Sequence, residues 1–263
     1  MRAPLDVSLS VFGLVNPWCF GLIFGNEMQM KTSQSTTRRI ALWLPLCATL
    51  ALLNTASAAD APAGDLVPLD IKLPAPAFKG TPKDIQLSAY VEPLSDKPRA
   101  PMMVPAGLKN LAPGAKLSSS DKNATSSTLQ KVIDADKEAT DESIIFLRKG
   151  VQWVQLDLGE PAEIFAITLW HAHNSAKVYH AIVVQAADDP DFVENVRVLY
   201  NNDQENKAGL GVGTDREYFE THEGRLINAK GVKARYLRFY SKGSTESALN
   251  EYTEIEVYGR AAK

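Results

Sequence analysis

Cysteine is almost absent from this sequence. The 263 residues include two cysteines, Cys19 and Cys47, and both lie before residue 59. The chain from residue 59 onward therefore forms no disulfide, and a domain without disulfides depends on its hydrophobic core for stability. Hydrophobic residues make up 45% of the sequence, as in an ordinary globular protein. We therefore expect a full-size folded core and not a small disulfide-stapled scaffold.

Excess positive charge and catalytic motifs are absent as well. The formal net charge is −3, which gives no basic surface for nucleic acid. The sequence has no Gly-x-Ser-x-Gly, His-Glu-x-x-His or P-loop motif, and Thr221–Gly224 carries a His-Glu pair without the second histidine. No long segment repeats its apolar residues at the helical period, so helices should be short. These absences predict a protein that is not an enzyme and does not bind nucleic acid.

Residues 30–58 have the pattern of a secretory signal peptide. Basic residues that include Arg38 and Arg39 precede the apolar run Ile40–Leu53, and Ala56–Ala58 forms an A-x-A cleavage signal. The apolar run is shorter than the stretch of about 20 residues that spans a bilayer. We therefore predict cleavage near Ala58, export to the periplasm, the cell surface or the medium, and no membrane insertion of the mature chain.

Residues 1–29 fit no targeting scheme. Their apolar stretch Val11–Phe24 is interrupted by Asn16 and Pro17. The simplest interpretation is a miscalled start, with Met30 as the true first residue. An N-terminal membrane anchor is the alternative.

The segment from residue 59 to residue 108 is rich in proline and alanine, with prolines concentrated between residues 74 and 82. Proline fixes φ and removes a backbone donor, so this segment should contain little regular structure. We predict an extended linker or strap. Its apolar residues Phe78, Tyr90 and Met102–Val104 are those expected to pin it onto the following domain.

Short strand-like segments recur from residue 109 to residue 260. In one of them Val154, Leu156 and Leu158 alternate with Gln155 and Asp157, and alternation with period two is what a half-buried strand needs. Further runs, separated by glycine and proline, cover residues 164–170, 181–186, 196–200, 218–220, 234–240 and 253–258. The pattern predicts an all-β fold, an antiparallel β-sandwich preceded by an irregular Pro-rich segment.

The order of these strands resembles that of a known family. Trp153–Gly159, Ala234–Arg238 and Glu254–Gly259 are similar to the core strands of discoidin domains, also called coagulation factor V/VIII type C or galactose-binding-like domains. Asn110–Ala112 is similar to the family's opening. The resemblance implies a galactose-binding-like jelly roll over residues 109–260 that binds ligands without catalysis. The chain looks closest to exported bacterial members, which are commonly carbohydrate-binding modules, and it lacks the disulfide that joins the domain ends in vertebrate members.

The resemblance also implies a structural calcium ion. Val132–Asp136 is similar to the family's Asp-Gly-Asp turn, which in many sugar-binding relatives holds calcium together with the first glutamate of the last strand. Carried over to this sequence, the ligands would be Asp134, Asp136, Thr140 and Glu254. Ca²⁺ takes about six to eight oxygens, which carboxylates and turn carbonyls supply. Ala135 stands in place of the turn glycine, so a solvated acidic turn is the alternative.

A polar cluster follows the strand that ends near Trp170. Imidazole both donates and accepts hydrogen bonds, as sugar hydroxyls require, and we expect the cluster on an exposed loop rim. The predicted ligand-binding residues are His171, His173, Lys177, Tyr179 and Asn202. A zinc site that uses His171, His173 and His180 is one alternative. Hydrogen-bonded histidines without a ligand are the other.

The predicted function is that of a secreted, non-catalytic module that binds extracellular carbohydrate. The alternative is a surface or matrix module whose partner is a surface protein, without a sugar pocket. An aromatic platform beside His171 would favour sugar, and a shallow rim without aromatic residues would favour protein. Binding to phospholipid ranks behind both, because the loops at residues 201–206 and 242–250 are polar.

Overall fold

The computed structural model describes residues 65–78, 88–93, 95 and 97–262. The expected signal peptide at residues 30–58, the expected start at Met30 and the alternative membrane anchor lie outside the described residues. The chain divides into two compact units, residues 1–57 and 58–263, and all described residues belong to the second. Among them no helix is long and apolar enough to cross a membrane.

Antiparallel strands dominate the described chain, which confirms the all-β prediction. The only helical elements among the described residues are α1 (Ser126–Leu129) and a short 3₁₀ helix (Gln130–Ile133). The strands are β1 (Leu66–Pro68), β2 (Met103–Pro105), β3 (Lys109–Asn110), β4 (Lys116–Ser119), β5 (Ile145–Leu147), β6 (Gln152–His171), β7 (Val183–Ala187), β8 (Arg197–Asn201), β9 (Arg225–Ser241) and β10 (Asn250–Ala261).

Two long strands, β6 and β9, contribute to both layers of the sandwich. The first part of β6 pairs with β4 and with the last part of β9, which continues through β7 to β8. The second part of β6 pairs with β10 and with the first part of β9. Between the two parts the register shifts from Asp157 to Ala162, and Gly159 takes φ +85°. Glycine adopts this conformation without a Cβ clash, so it allows the strand to bend.

Both layers face one hydrophobic core. Val154 and Leu156 from the first layer belong to the same buried cluster as Ile167 and Leu169 from the second. Burial of this alternating set provides the main stabilisation, because each apolar square ångström removed from water contributes about 25 cal/mol. The bends of β6 and β9 lie at one end of the sandwich. The other end, here called the open end, carries the loops at residues 172–182, 202–224 and 242–249.

The strap packs against the domain through specific contacts. Val91 is buried in a small cluster with Val178 and Phe219, and Val104 is 4% exposed. The expected pinning residue Tyr90 is instead 43% exposed, because its neighbour Val91 takes the inward position. The segment is also not wholly irregular, since β1 and β2 form a two-stranded antiparallel sheet.

Candidate functional site

His171 lies at the end of β6 with no exposed surface. Its ring stacks on that of Tyr179 at a centroid separation of 4.3 Å and lies 4.7 Å from the ring of Tyr252. Nδ1 is 3.1 Å from Oε2 of Glu220, which is equally buried. Since Glu220 lies in the loop before β9, this pair fastens that loop to the end of β6.

Lys177 and Tyr179 share one carboxylate acceptor. Lys177 Nζ lies 3.1 Å from Glu251 Oε2, and the Tyr179 hydroxyl donates to the same oxygen at 2.8 Å. Lys177 is also 3.6 Å from Glu246. Burial, assisted by the negative charge of Glu251, raises the pKa of Tyr179 far above its usual value, so the hydroxyl remains a donor.

His173 and Asn202 bind backbone groups. His173 Nε2 lies 2.8 Å from the carbonyl oxygen of Lys137, and Asn202 Oδ1 accepts the N–H of Ile182 at 2.7 Å. The second nitrogen of His173 and the amide nitrogen of Asn202 are buried and find no partner among the described residues. Both side chains therefore order neighbouring loops.

The expected exposure of the predicted ligand-binding residues is corrected by the structure. None is more than 5% exposed: His171 0%, His173 0%, Lys177 5%, Tyr179 1% and Asn202 1%. The physical reason is that their polar groups form internal hydrogen bonds with carboxylates and backbone atoms. Direct contact between these side chains and a sugar stays a prediction.

His180 has a different partner from the two histidines of β6. Its Nδ1 lies 2.9 Å from Glu217 Oε1, and Ser88 donates to the other oxygen of Glu217 at 2.6 Å. The carboxylate is the central member of this trio. Serine therefore bonds to glutamate, whereas a nucleophilic serine would bond to histidine.

An exposed aromatic ring lies beside the Lys177 network. Phe146 in β5 is 50% exposed and stands directly opposite Glu251 in β10. Directly paired residues share a face of the sheet, with Cβ atoms about 5 Å apart. The hydroxyl of Ser175 donates to Glu246 at 2.6 Å, and Glu246 in turn lies near Lys177. We name Phe146, Ser175, Lys177, Glu246 and Glu251 the Phe146 patch.

Sequence analysis missed Phe146 because it lies in the apolar run Ile144–Leu147. The alternation was nevertheless available as a signal. Ile145 and Leu147 are 1% exposed and point to the core, so a strand assignment would have turned Phe146 outward.

The predicted calcium turn lies against the last strand. Glu254 is 1% exposed, and its Oε2 accepts the N–H of Ala135 at 3.2 Å. Its Oε1 is buried without a partner among the described residues. Burial, followed by the charges of Glu256 and Asp134, raises the pKa of Glu254 to about 8. Ala135 takes φ +72°, the left-handed conformation that a glycine adopts with less strain.

The other predicted calcium ligands bond within the turn. Asp134 Oδ1 accepts the N–H of Asp136 at 2.9 Å, and Asp136 Oδ1 accepts that of Glu138 at 3.1 Å. The Thr140 hydroxyl lies 3.1 Å from Ser143 Oγ. In the described part of the chain, no group of three or more His, Cys, Asp or Glu side chains is arranged to hold a metal. An ion here would therefore need backbone carbonyl oxygens as well.

Sequence analysis also missed a buried lysine, Lys137, which forms an ion pair with Glu256 in the last strand. Lys137 Nζ is 2.6 Å from Glu256 Oε1, and both side chains are less than one tenth exposed. The ammonium also lies 4.8 Å from the ring centre of Trp170 and donates to the carbonyl oxygen of Lys72 in the strap. This ion pair connects the turn, the last strand and the strap.

No protein-family model and no curated protein matches the chain. Among solved structures, a family 89 glycoside hydrolase from Clostridium perfringens in complex with PUGNAc is 18% identical, with a TM-score of 0.42, over 58% of this chain and 15% of that chain. Chitosan-binding module 1 of a chitosanase/glucanase from Paenibacillus sp. IK-5 is 18% identical, with a TM-score of 0.41, over 57% of this chain and 99% of that chain. The CBM32 of AlyQ in complex with 4,5-unsaturated mannuronic acid is 14% identical, with a TM-score of 0.37, over 54% of this chain and 92% of that chain. The fold assignment rests on the strand pairing described above.

Proposed function

We propose that this protein is a non-catalytic module that binds extracellular carbohydrate at the Phe146 patch. The observation that supports this most strongly is the half-exposed ring of Phe146 at the strand position opposite Glu251. The carboxylate of Glu251 pairs with Lys177, which also lies near Glu246, and Glu246 accepts the hydroxyl of Ser175. The discoidin-like strand motifs of the sequence support the same function independently.

The chemistry of the patch suits a sugar. One face of a pyranose ring presents C–H groups, which pack on an aromatic ring, while its hydroxyls donate and accept hydrogen bonds. Glu246, whose side chain is 45% exposed, can accept from a hydroxyl, and so can the Ser175 oxygen, while the buried Lys177 holds the carboxylates in place. Lys177 is held by Glu251, so little side-chain entropy remains to be lost when a ligand binds.

The sequence-predicted residues have two roles in this proposal. Lys177 belongs to the patch, and Tyr179 fixes the carboxylate of Glu251. The side chains of His171, His173 and Asn202 are buried, and their hydrogen bonds order the neighbouring loops. The buried network thus replaces the exposed rim that the sequence led us to expect.

We also propose that the turn before β5 holds a structural Ca²⁺. Support comes from Oε1 of Glu254, which has no partner among the described residues, from the negative charge of Asp134 near this carboxyl and from the left-handed backbone of Ala135. Asp136 and Thr140 are the further proposed ligands. When bound, the ion would neutralise carboxylates that otherwise repel each other.

Export is proposed from the sequence. The basic residues before the apolar run Ile40–Leu53, together with the A-x-A signal at Ala56–Ala58, support it. The chain after this signal contains no cysteine, so its folding in an oxidising compartment needs no disulfide pairing.

Binding to a panel of immobilised polysaccharides, with calcium present, tests the carbohydrate proposal. We expect retention on at least one polysaccharide and a loss of affinity of about tenfold or more in Phe146→Ala, since stacked aromatic residues dominate such contacts. Val198→Ala, which truncates a side chain of similar exposure (51%) on β8, is the matched control and should bind normally. Folded protein that binds none of the polysaccharides would contradict the proposal and favour the protein-interaction alternative.

A further inference from the structure

A cavity of about 630 Å³ lies between the strap and the loop before β9. Strap residues 76–78 and the described residues between 92 and 100 form one wall, and residues 218, 219 and 221–226 form the other. No member of the Phe146 patch lines it. Its volume lies within the range of about 300–1,000 Å³ that is usual for small-molecule sites.

Backbone pairing holds the two walls in place. Val91 forms a parallel bridge with Glu217, and the N–H of Glu92 donates to the carbonyl oxygen of Glu217 at 2.8 Å. Further along the strap, Arg99 Nη1 donates to the carbonyl oxygen of Gly224 at 2.9 Å. The strap from residue 92 to residue 100 is therefore tied to the domain near both of its ends, so this part of the cavity wall is preformed.

Trp170 fixes the loop on the domain side. Its Nε1 donates to the carbonyl oxygen of His222 at 3.0 Å, and the side chain is fully buried. Gly224 lies so close that an added Cβ would be 2.7 Å from the indole ring. This packing leaves the His222–Gly224 backbone little freedom.

Two guanidinium groups line the cavity, and they differ in their partners. Arg225 Nη1 lies 2.7 Å from Glu92 Oε1, and its guanidinium lies over the rings of Tyr200 and Tyr218 at 5.0 and 4.8 Å. Arg99 makes its side-chain bond to a backbone carbonyl and forms no ion pair with any carboxylate among the described residues. Most of its five donors are therefore available to another group.

The guanidinium of Arg99 is partly buried and lies near a second guanidinium, that of Arg225. Desolvation is the main reason that the pKa of Arg99 is lowered; the charge of Glu223 opposes this shift, and that of Arg225 adds to it. A partly buried cation gains most from an anionic partner that it can bind with two parallel hydrogen bonds. Carboxylate and phosphate both have that geometry, and a singly charged carboxylate matches the single charge of Arg99.

The remaining lining suits a hydroxylated ring. Phe78, Pro93 and Phe219 supply apolar surface, whereas Ser95 and Thr221 supply hydroxyls. We infer that this cavity is a second binding site, separate from the Phe146 patch, and that it takes a sugar acid whose carboxylate pairs with Arg99. The carbohydrate part of this inference rests on the proposed function, and the location of the site does not.

Calorimetric titration of the chain from residue 59 onward with glucuronate, glucose and acetate tests the inference. We expect glucuronate to bind more tightly than either other probe, because only glucuronate carries both the carboxylate and the ring. No binding of glucuronate, or equally tight binding of glucose, would overturn the inference. Equally tight binding of acetate would overturn the sugar-acid assignment and leave a site for free carboxylates.

Arg99→Gln should weaken glucuronate binding by about tenfold or more, because it removes one partner of a partly buried charge pair. Arg99→Lys keeps the charge without the fork and should bind with intermediate affinity. Arg235→Gln is the matched control, since Arg235 pairs with Asp157 at 2.6 Å and does not line the cavity. Thermal melts show whether each variant folds. If Arg99→Gln does not fold, the glucuronate affinity of Arg99→Lys decides the test.

Phe146→Ala separates this inference from the proposed function. It should lose polysaccharide binding and keep the glucuronate affinity of the unchanged chain. Equal loss of glucuronate binding in Phe146→Ala would show one site and overturn the inference. The unchanged chain could bind glucuronate through Arg99 and yet bind none of the polysaccharides. That result would contradict the proposed function and leave this inference standing.

Discussion

Glu254 accepts the backbone N–H of Ala135 on Oε2 at 3.2 Å, while its other oxygen is buried without a partner among the described residues. The bond joins the last strand to the acidic turn. An ionised Glu254 would therefore hold its charge in a buried position where no described donor reaches Oε1. Two predictions depend on this arrangement.

The first prediction concerns pH. The pKa of Glu254 is raised from 4.5 to about 8, so between these values the metal-free native state binds a proton that the unfolded chain has released. Stability falls with rising pH wherever the unfolded state binds fewer protons, so Glu254 opposes folding increasingly from about pH 4.5 to pH 8. Glu254→Gln, which imitates the protonated acid, should remove this part of the pH dependence.

Thermal melts in chelator at about pH 5.5 and pH 8.5 check the first prediction. Between these values the melting temperature of the unchanged chain should fall by about 5 °C more than that of Glu254→Gln. Other groups titrate in both proteins and cancel in the difference. Parallel pH profiles for the two proteins would show that the Glu254 carboxyl titrates normally.

The second prediction concerns calcium. An ion that binds only the folded state stabilises it by mass action, so millimolar calcium should raise the melting temperature and chelator should lower it. Glu254→Ala should abolish this sensitivity. If the unchanged chain has the same melting temperature in calcium and in excess chelator, Asp134–Thr140 is an ordinary surface turn that binds no ion.

The third prediction concerns the buried pair of His171 and Glu220. His171→Ala should lower the free energy of unfolding by about 3–5 kcal/mol, because it leaves a buried carboxylate without its partner. His222→Ala is the control, because the contact that His222 makes with Trp170 uses its backbone oxygen, and it should change stability by about 0.5 kcal/mol or less. Urea unfolding measures both values. Similar values for the two variants would show that the pair contributes little.

The first part of β6 could be predicted from the sequence because its apolar residues alternate with polar ones at a period of two. Val154 and Leu156 are fully buried, whereas Gly159 marks the bend of β6. Local pattern suffices here, since each residue's face is decided by its immediate neighbours in the strand. The sequence did not predict that β6 and β9 each contribute to both layers. This arrangement depends on a change of pairing partner along the strand, which the local pattern does not record.

The exposure of the site could not be predicted in the same way. His171 can be buried because Glu220, 49 residues away, accepts a hydrogen bond from its ring, and Lys177 can be buried because Glu251, 74 residues away, pairs with it. No local pattern reports such partners. Polar residues in a loop are usually exposed, and only the tertiary contacts reverse that expectation here.

The last prediction concerns alanine substitution of Gly224. Comparison with a second glycine separates the cost of backbone strain from the cost of a steric clash. Gly224→Ala combines a positive φ of +60° with a Cβ 2.7 Å from the indole of Trp170, so both effects destabilise the fold. Gly159→Ala is the matched control, because it shares a positive φ of +85° and meets no atom within 4 Å. We expect a loss of about 1–2 kcal/mol for Gly159→Ala from strain alone, and a loss larger by about 2 kcal/mol for Gly224→Ala. The carbonyl oxygen of Gly224 accepts a hydrogen bond from the Arg99 guanidinium, so the larger loss of stability should be accompanied by weaker glucuronate binding. Equal losses of stability in the two variants would mean that Trp170 shifts to accept the methyl group and does not fix the loop.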